Sequence, residues 1–209
     1  MTNSIDEKVN ITKQAYSQIY QDYAKNNASL NPQIQKMLDK FISFVPKGGK
    51  VLDVGCAGGR ESKYLSANKL KVTGIDILPE FVKLAQTNCP ECTFQVVDMR
   101  ALPDDLGTFD GIWASASFLH VPKENAQQTL KGFWRKLQFF GVLYFSVMEG
   151  EFNSTRENKQ MNWPARHFSD YLKEEIESLL KISGFKVVYS EVAKTNWGPT
   201  FLHYFCKKV

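Results

Sequence analysis

No stretch of this sequence stays apolar for the ~20 residues that a membrane-crossing helix needs, so nothing in it predicts a span or a membrane partner. The opening residues, MTNSIDEKVN, lack the basic-then-apolar pattern and small-residue cleavage site of a secretory leader. A cytosolic protein is the default expectation. Basic blocks are missing too: the net charge is +4, with Lys and Arg interleaved among acids. Charge therefore gives no reason to expect a nucleic-acid partner, and the length leaves no room for an appended nucleic-acid module. Metal ligands are sparse. The three histidines, His120, His167 and His203, stand apart, and among the four cysteines only Cys89-Pro-Glu-Cys92 has ligand spacing. That is half of a four-ligand zinc site. The plainer reading is a loop before a strand with reduced thiols, and no metal is expected. What remains is ordinary: 43% apolar and 23% charged residues in a chain of 209, enough for one domain with a substantial core.

The pattern begins as helix and then changes rhythm. Tyr16, Ile19, Tyr20 and Tyr23 recur at three-to-four spacing and predict a helix over 8–26. Asn31-Pro32 restarts a helix through Phe44, and Pro46-Lys47-Gly48-Gly49 breaks it. From there strands at 50–55, 71–76, 93–99, 109–117 and 141–149 alternate with helices at 58–69, 79–88 and 123–137. Such alternation means crossover units and a parallel sheet covered on both faces. After a helix over 169–184, capped by Ser169 and ended by Gly184, two further strands are joined by a link too short for a crossover. They should pair antiparallel. The expected fold is thus α/β and doubly wound. It has a seven-stranded, mostly parallel sheet, a C-terminal antiparallel hairpin, and helices on both faces. The polar stretch 150–168 reads as a long irregular loop inserted near the sheet edge.

Open parallel sheets bind ligands beyond the carboxyl ends of their strands. Those ends carry Asp53 and Gly55, Asp76, Asp98 and Met99, Ser115 to Ser117, and Glu149. Asp76 is placed to accept from both hydroxyls of a ribose, or else to cap the helix over 79–88. Asp98 can accept from an adenine amino group or orient its loop. Gly55-Cys56-Ala57-Gly58-Gly59 is neither the G-x-G-x-x-G of dinucleotide sites nor a Walker loop. The ligand that suits it is a nucleoside whose other end is not phosphate.

At these residues the chain resembles the class I S-adenosylmethionine-dependent methyltransferases, in their small-molecule branch. The motifs are Asp53 through Gly59, Gly74-Ile75-Asp76, Val97-Asp98-Met99 and Phe109-Asp110-Gly111-Ile112-Trp113-Ala114, in order and on the expected elements. The reversed strand pair at the end is also the family's. Two positions depart: Ala57 replaces a glycine, acceptable at negative φ, and Gln138-Phe139-Phe140-Gly141 replaces the family's Lys-Pro-Gly-Gly turn. The resemblance implies S-adenosyl-L-methionine as cofactor and a division into a helical lid region, 1–47, and a Rossmann-like methyltransferase domain, 48–209, with 150–168 as its insertion loop. It implies that Gly55, with Cys56 and Ala57, approaches the methionine part and that Asp53 orders the loop. Asp76 takes the ribose, and Ile77 packs on adenine. Asp98 and Met99 hold the adenine edge, and Ala114 offers backbone to the amino-acid end. Tyr16 and Tyr23 lid the pocket, while Arg60 pairs with a carboxylate or stays on the surface.

The implied reaction is in-line displacement at a sulfonium methyl, which asks mainly for alignment and dryness. His120 is placed to take a proton or only to pin its loop. Glu149 is the other catalytic candidate. Arg156, Trp163, Arg166 and His167 fall in the insertion, where the two arginines suit an acidic or phosphorylated acceptor. Ala114-Ser115-Ala116-Ser117 stands where amino-group methyltransferases carry Asn-Pro-Pro-Tyr or Asp-Pro-Pro-Tyr, so a small metabolite is the expected acceptor. Transfer to RNA or a protein side chain, a non-catalytic cofactor-binding interaction domain and an NAD-dependent oxidoreductase stay open as alternatives.

Overall fold

The computed structural model describes residues 4–195 and 198–209. Residues 1–3 of the expected lid region and residues 196–197 of the expected final link lie outside those described. Helix α1 (Ile5–Asn26) begins with a capping box in which Ser4 Oγ accepts from Glu7 N while Glu7 accepts from Ser4 N. Helix α2 (Pro32–Phe44) starts on Asn31, whose side chain accepts from Ile34 N at 2.8 Å, with proline at the first helical position.

The sheet follows the expected alternation. Its first half is β1 (Lys50–Val54), α3 (Arg60–Ala67), β2 (Lys71–Asp76), α4 (Pro79–Asn88), β3 (Thr93–Val96) and β4 (Phe109–Ala114). Then come α5 (Lys123–Lys136), β5 (Leu137–Met148), β6 (Asn153–Asn158), β7 (Trp163–Ser169), α6 (Lys173–Ile182), β8 (Phe185–Lys194) and β9 (Thr200–Lys208). Seven strands form one sheet in the order β3-β2-β1-β4-β5-β9-β8. The first five run parallel, and β9 runs antiparallel between β5 and β8. The order reverses between β1 and β4, which opens a crevice at their carboxyl ends.

Each sheet face is sealed by its own apolar cluster. One carries Met37, Phe41, Leu65 and Ala85 from α2, α3 and α4; the other carries Leu130, Phe133, Ile176 and Leu180 from α5 and α6. Trp113 and Tyr144 stack at 3.9 Å across β4 and β5. Among the described residues, no helix is long and apolar enough to cross a membrane. Cys89 and Cys92 are buried free thiols with sulfurs 2.9 Å apart, and Glu91 supplies the third donor of that small group.

Three expectations are corrected. The stretch 150–168 is not an irregular loop. β6 and β7 form a separate antiparallel pair, joined to α1 where His167 N donates to Thr12 Oγ1 at 2.9 Å. The replaced turn at 138–141 lies inside β5, which starts at Leu137 and is bulged opposite Phe109–Gly111, with Phe140 at φ +67°. Ser169 ends β7 and does not cap a helix. Helix α6 starts four residues on, where Glu175 accepts from Leu172 N. Gly184 does terminate that helix, at φ +87°.

Candidate functional site

The glycine loop is shaped by what it is tied to. The amides of Gly55 and Cys56 both donate to Ile75 O, at 2.8 and 3.0 Å, which latches the turn onto β2. Gly55 is at φ +73°, and a Cβ there would lie 2.4 Å from Ser117 Cβ. Ser117 in turn donates its hydroxyl to Val54 O at 2.7 Å. Glycine is therefore demanded twice, by torsion and by space. Ala57 departs from expectation: its φ is +44°, in the left-handed region. A left-handed L-residue costs about 1–2 kcal/mol, and glycine gives back part of the relief through its looser unfolded chain. Ala57→Gly should stabilise the protein by about 0.5–1 kcal/mol, raising the melting temperature by about 1–4 °C in calorimetry. An unchanged or lower melting point would mean that the strain is absorbed elsewhere.

Beneath the loop sit two carboxylates. Asp53 is buried, and its Oδ2 accepts from Ser62 Oγ at 2.6 Å, bracing α3 against β1. Burial, then neighbouring Glu61, raises its pKa. Asp76 ends β2. Its Oδ2 accepts from Ala57 N at 3.1 Å and its Oδ1 from Leu78 N at 2.9 Å. It thus joins the glycine loop to the turn into α4. It does not cap α4, whose N-cap position is Leu78 with no side-chain cap bond. Burial pushes its pKa up to about 6, against the pull of the amides of Leu78, Ala57 and Ile77.

Two cavities meet along this edge. The smaller, about 120 Å³, is lined by Asp76, Ile77, Phe81, Asp98 and Met99. The larger is an open cleft of about 2040 Å³ that takes in Asp53, Cys56, Arg60, Glu149, Trp163 and Arg166. Tyr16, Tyr23, Gly55, Ala57, Ser115 and Ala116 line both, as does His120. Tyr16 and Tyr23 meet edge-on at 5.2 Å, and Trp163 lies 5.6 Å from Tyr23.

One sequence-level candidate sits differently from expectation, and the others already have partners or a place on the rim. Ala114 is fully buried in the core and lines neither cavity; Ser115 and Ala116 face the crevice instead. Both oxygens of Asp98 already accept from Arg100, whose Nε and Nη2 lie 2.9 and 2.7 Å from Oδ2 and whose amide lies 2.9 Å from Oδ1. Arg60 is a brace. Its Nη1 donates to Asn27 O and Ser29 O while Nη2 pairs with Glu61. Glu149 is exposed on the rim of the cleft, its amide tied to Thr200 O.

His120 has a partner that sequence reasoning missed. Nδ1 lies 2.7 Å from His167 O, and a carbonyl can only accept, so Nδ1 carries the proton. Nε2 then accepts from Tyr16 Oη at 2.9 Å. Arg166 Nη1 donates to the same tyrosine oxygen at 3.2 Å. Burial, with the charge of Arg166 nearby, drives the His120 pKa down to about 3, so the imidazole is neutral at ordinary pH. Burial raises the Tyr16 pKa, and Arg166 opposes the rise.

A doubly wound sheet with a buried acid at the end of β2 tied to the glycine loop defines an α/β domain whose crevice lies where the strand order reverses. Comparison with known proteins narrows this. Residues 51–141 match the methyltransferase domain family. The ubiquinone biosynthesis O-methyltransferase of Coxiella burnetii is 30% identical over 129 residues, covering 60% of this chain and 53% of that enzyme. The chain thus spans about half the length of that relative. Among solved structures, the 1,6-didemethyltoxoflavin-N1-methyltransferase of Burkholderia thailandensis, with S-adenosylhomocysteine bound, superposes with TM-score 0.80 at 20% identity. That match covers 100% of this chain and 92% of that one. The magnesium protoporphyrin IX methyltransferase of Synechocystis PCC 6803 gives 0.72 at 17% identity, covering 99% and 100%. Residues 51–141 thus resemble a methyltransferase domain, and the solved structures share the fold of the whole chain.

Proposed function

We propose that this protein is an S-adenosylmethionine-dependent methyltransferase that acts on a small-molecule acceptor in the large cleft. The observation that carries the reading is Asp76, a buried carboxylate fixed by the Ala57 and Leu78 amides at the wall of the small cavity. The residues fit the cofactor's chemistry. The acid suits the ribose, apolar Ile77, Phe81 and Met99 suit a flat base, and the loop carries no lysine for phosphate. Asp53, Gly55, Cys56 and Ala57 belong to the methionine end, and Ser115 and Ala116 take over the backbone role expected of Ala114.

When bound, the cofactor supplies an electrophilic methyl group on a good leaving group. The chain's task is to hold an acceptor in line with it and keep water out, which contributes up to about 7–11 kcal/mol in ideal cases. Tyr16, Tyr23 and Trp163 form an aromatic wall suited to that exclusion. Residues 1–47 serve as the lid in this reading, with 48–209 as the catalytic domain. His120 orients the Tyr16 hydroxyl. Glu149, on the rim, is left as the freer carboxylate for a protonated acceptor. Four buried free thiols suit a cytosolic setting.

Calorimetric titration with S-adenosylmethionine and S-adenosylhomocysteine tests this. Binding of either at 1:1 is expected, followed by labelled-methyl transfer to small acceptors. Folded protein that binds neither, but binds a nicotinamide dinucleotide, would replace this reading with an oxidoreductase. Binding without transfer to any acceptor class would favour a non-catalytic domain.

A further inference from the structure

Three arginines line the large cleft, and two of them are neutralised within the protein. Arg60 pairs with Glu61. Arg156 is held by Asp170, with its two terminal nitrogens 3.0 Å from the two carboxylate oxygens. Arg166 is different. It is 6% exposed, yet no carboxylate lies within ion-pair distance of it among the described residues. Its Nη1 donates to Tyr16 Oη, and its Nε has no acceptor. Nor does Nη2 donate to any described residue. The rings of Tyr16, Trp163 and Phe168 surround the guanidinium, with centroids 5.2, 5.4 and 5.2 Å away.

Aromatic faces offset part of the cost of burying a cation, but an uncompensated buried charge is expensive. A planar fork with spare donors in a cavity matches a carboxylate or phosphate. Resting on the methyltransferase reading, we propose that Arg166 is the counter-charge for an anionic acceptor, recognising its carboxylate or phosphate group. The placement favours the acceptor over the cofactor. Arg166 stands on β7 and lines the large cleft only, whereas the glycine loop and Tyr16 line both cavities. The anion would sit beside the Tyr16 hydroxyl, anchoring the acceptor next to the pair formed with His120.

The test titrates benzoate, phenyl phosphate and neutral benzamide into the protein, with and without S-adenosylhomocysteine, by calorimetry. In the natural protein at least one anion should bind about tenfold or more tightly than benzamide. Arg166→Met should erase that preference, and Arg166→Lys should keep part of it. Arg166→Gln keeps donors without charge and gives a second neutral variant should methionine disturb folding. Affinity for S-adenosylhomocysteine should stay within about threefold throughout. No anion preference, or a preference that survives in both neutral variants, overturns the proposal. So does a tenfold loss of S-adenosylhomocysteine affinity in them, which would assign Arg166 to the cofactor's carboxylate. The titrations without S-adenosylhomocysteine read the anion site even if the cofactor reading fails, so the two failures are told apart.

Discussion

Replacing Asp76 with alanine is expected to weaken S-adenosylhomocysteine binding about a hundredfold or more and to destabilise the protein at the same time. The two effects share a cause. One oxygen holds Ala57 N and the other holds Leu78 N. Removing both leaves two amides unpaired next to the core, at about 1–3 kcal/mol each. The same loss lets the glycine loop drift from its latch on β2, so the proposed ribose site loses its acid and its floor together. Asp76→Asn separates these effects. It keeps one oxygen for one amide and removes a charge that burial disfavours. Its melting point should fall less than that of Asp76→Ala, while S-adenosylhomocysteine affinity falls at least tenfold. An asparagine variant that binds as tightly as the natural protein would remove Asp76 from the ribose site. Acidity gives an independent readout. With its pKa raised to about 6, the carboxyl gains a proton as pH falls through 6. One acceptor then becomes a donor, and affinity should decline below that pH in the natural protein but not in Asp76→Asn.

The sheet was legible because buried parallel strands must be short, apolar and bounded. Val51 and Leu52, or Val142 through Phe145, have few other ways to be satisfied. The hairpin of β6 and β7 was not legible. Asn153–Asn158 is polar with no residue fully buried, so it carries no alternation, and it pairs only with a strand across its own turn. The torsion at Ala57 was hidden for a different reason. It follows from amides at 55 and 56 reaching Ile75 on another strand, a tertiary tie that local pattern does not encode. Ala114 was misplaced by one residue, because strand ends follow register, here Ala114 against Phe145. The carboxylates fared better, since sheet topology alone assigns them an edge, but their partners did not. Nothing near His120 announces Tyr16, 104 positions away, and nothing near Arg166 announces that it lacks an acid.

The neutral His120 carries the second large effect, and it falls on acid stability. Unfolded, the imidazole titrates at 6.5; folded, it titrates at about 3. Between these values the unfolded chain holds a proton that the folded protein refuses, so stability falls as pH falls, by about 1.4 kcal/mol per unit. Near pH 4.5 this single group removes about 2–3 kcal/mol relative to pH 7.5. Its surroundings give no relief. Tyr16 and the His167 carbonyl occupy its two nitrogens, and Arg166, His167 and Arg156 all oppose a second positive charge. In urea titrations His120→Asn should therefore be less stable than the natural protein at pH 7.5, and the gap should shrink by about 2–3 kcal/mol at pH 4.5. A gap that stays constant with pH would mean that the folded imidazole accepts its proton normally. The same physics bears on catalysis. A base that resists protonation this strongly gains little by taking an acceptor's proton, so the role left to His120 is to hold the Tyr16 hydroxyl and the end of β7 in place. Turnover on an identified acceptor should then show no limb near pH 6.5, and Tyr16→Phe should lower kcat while sparing S-adenosylhomocysteine affinity. A limb near 6.5 that disappears in His120→Asn would restore the histidine as the base.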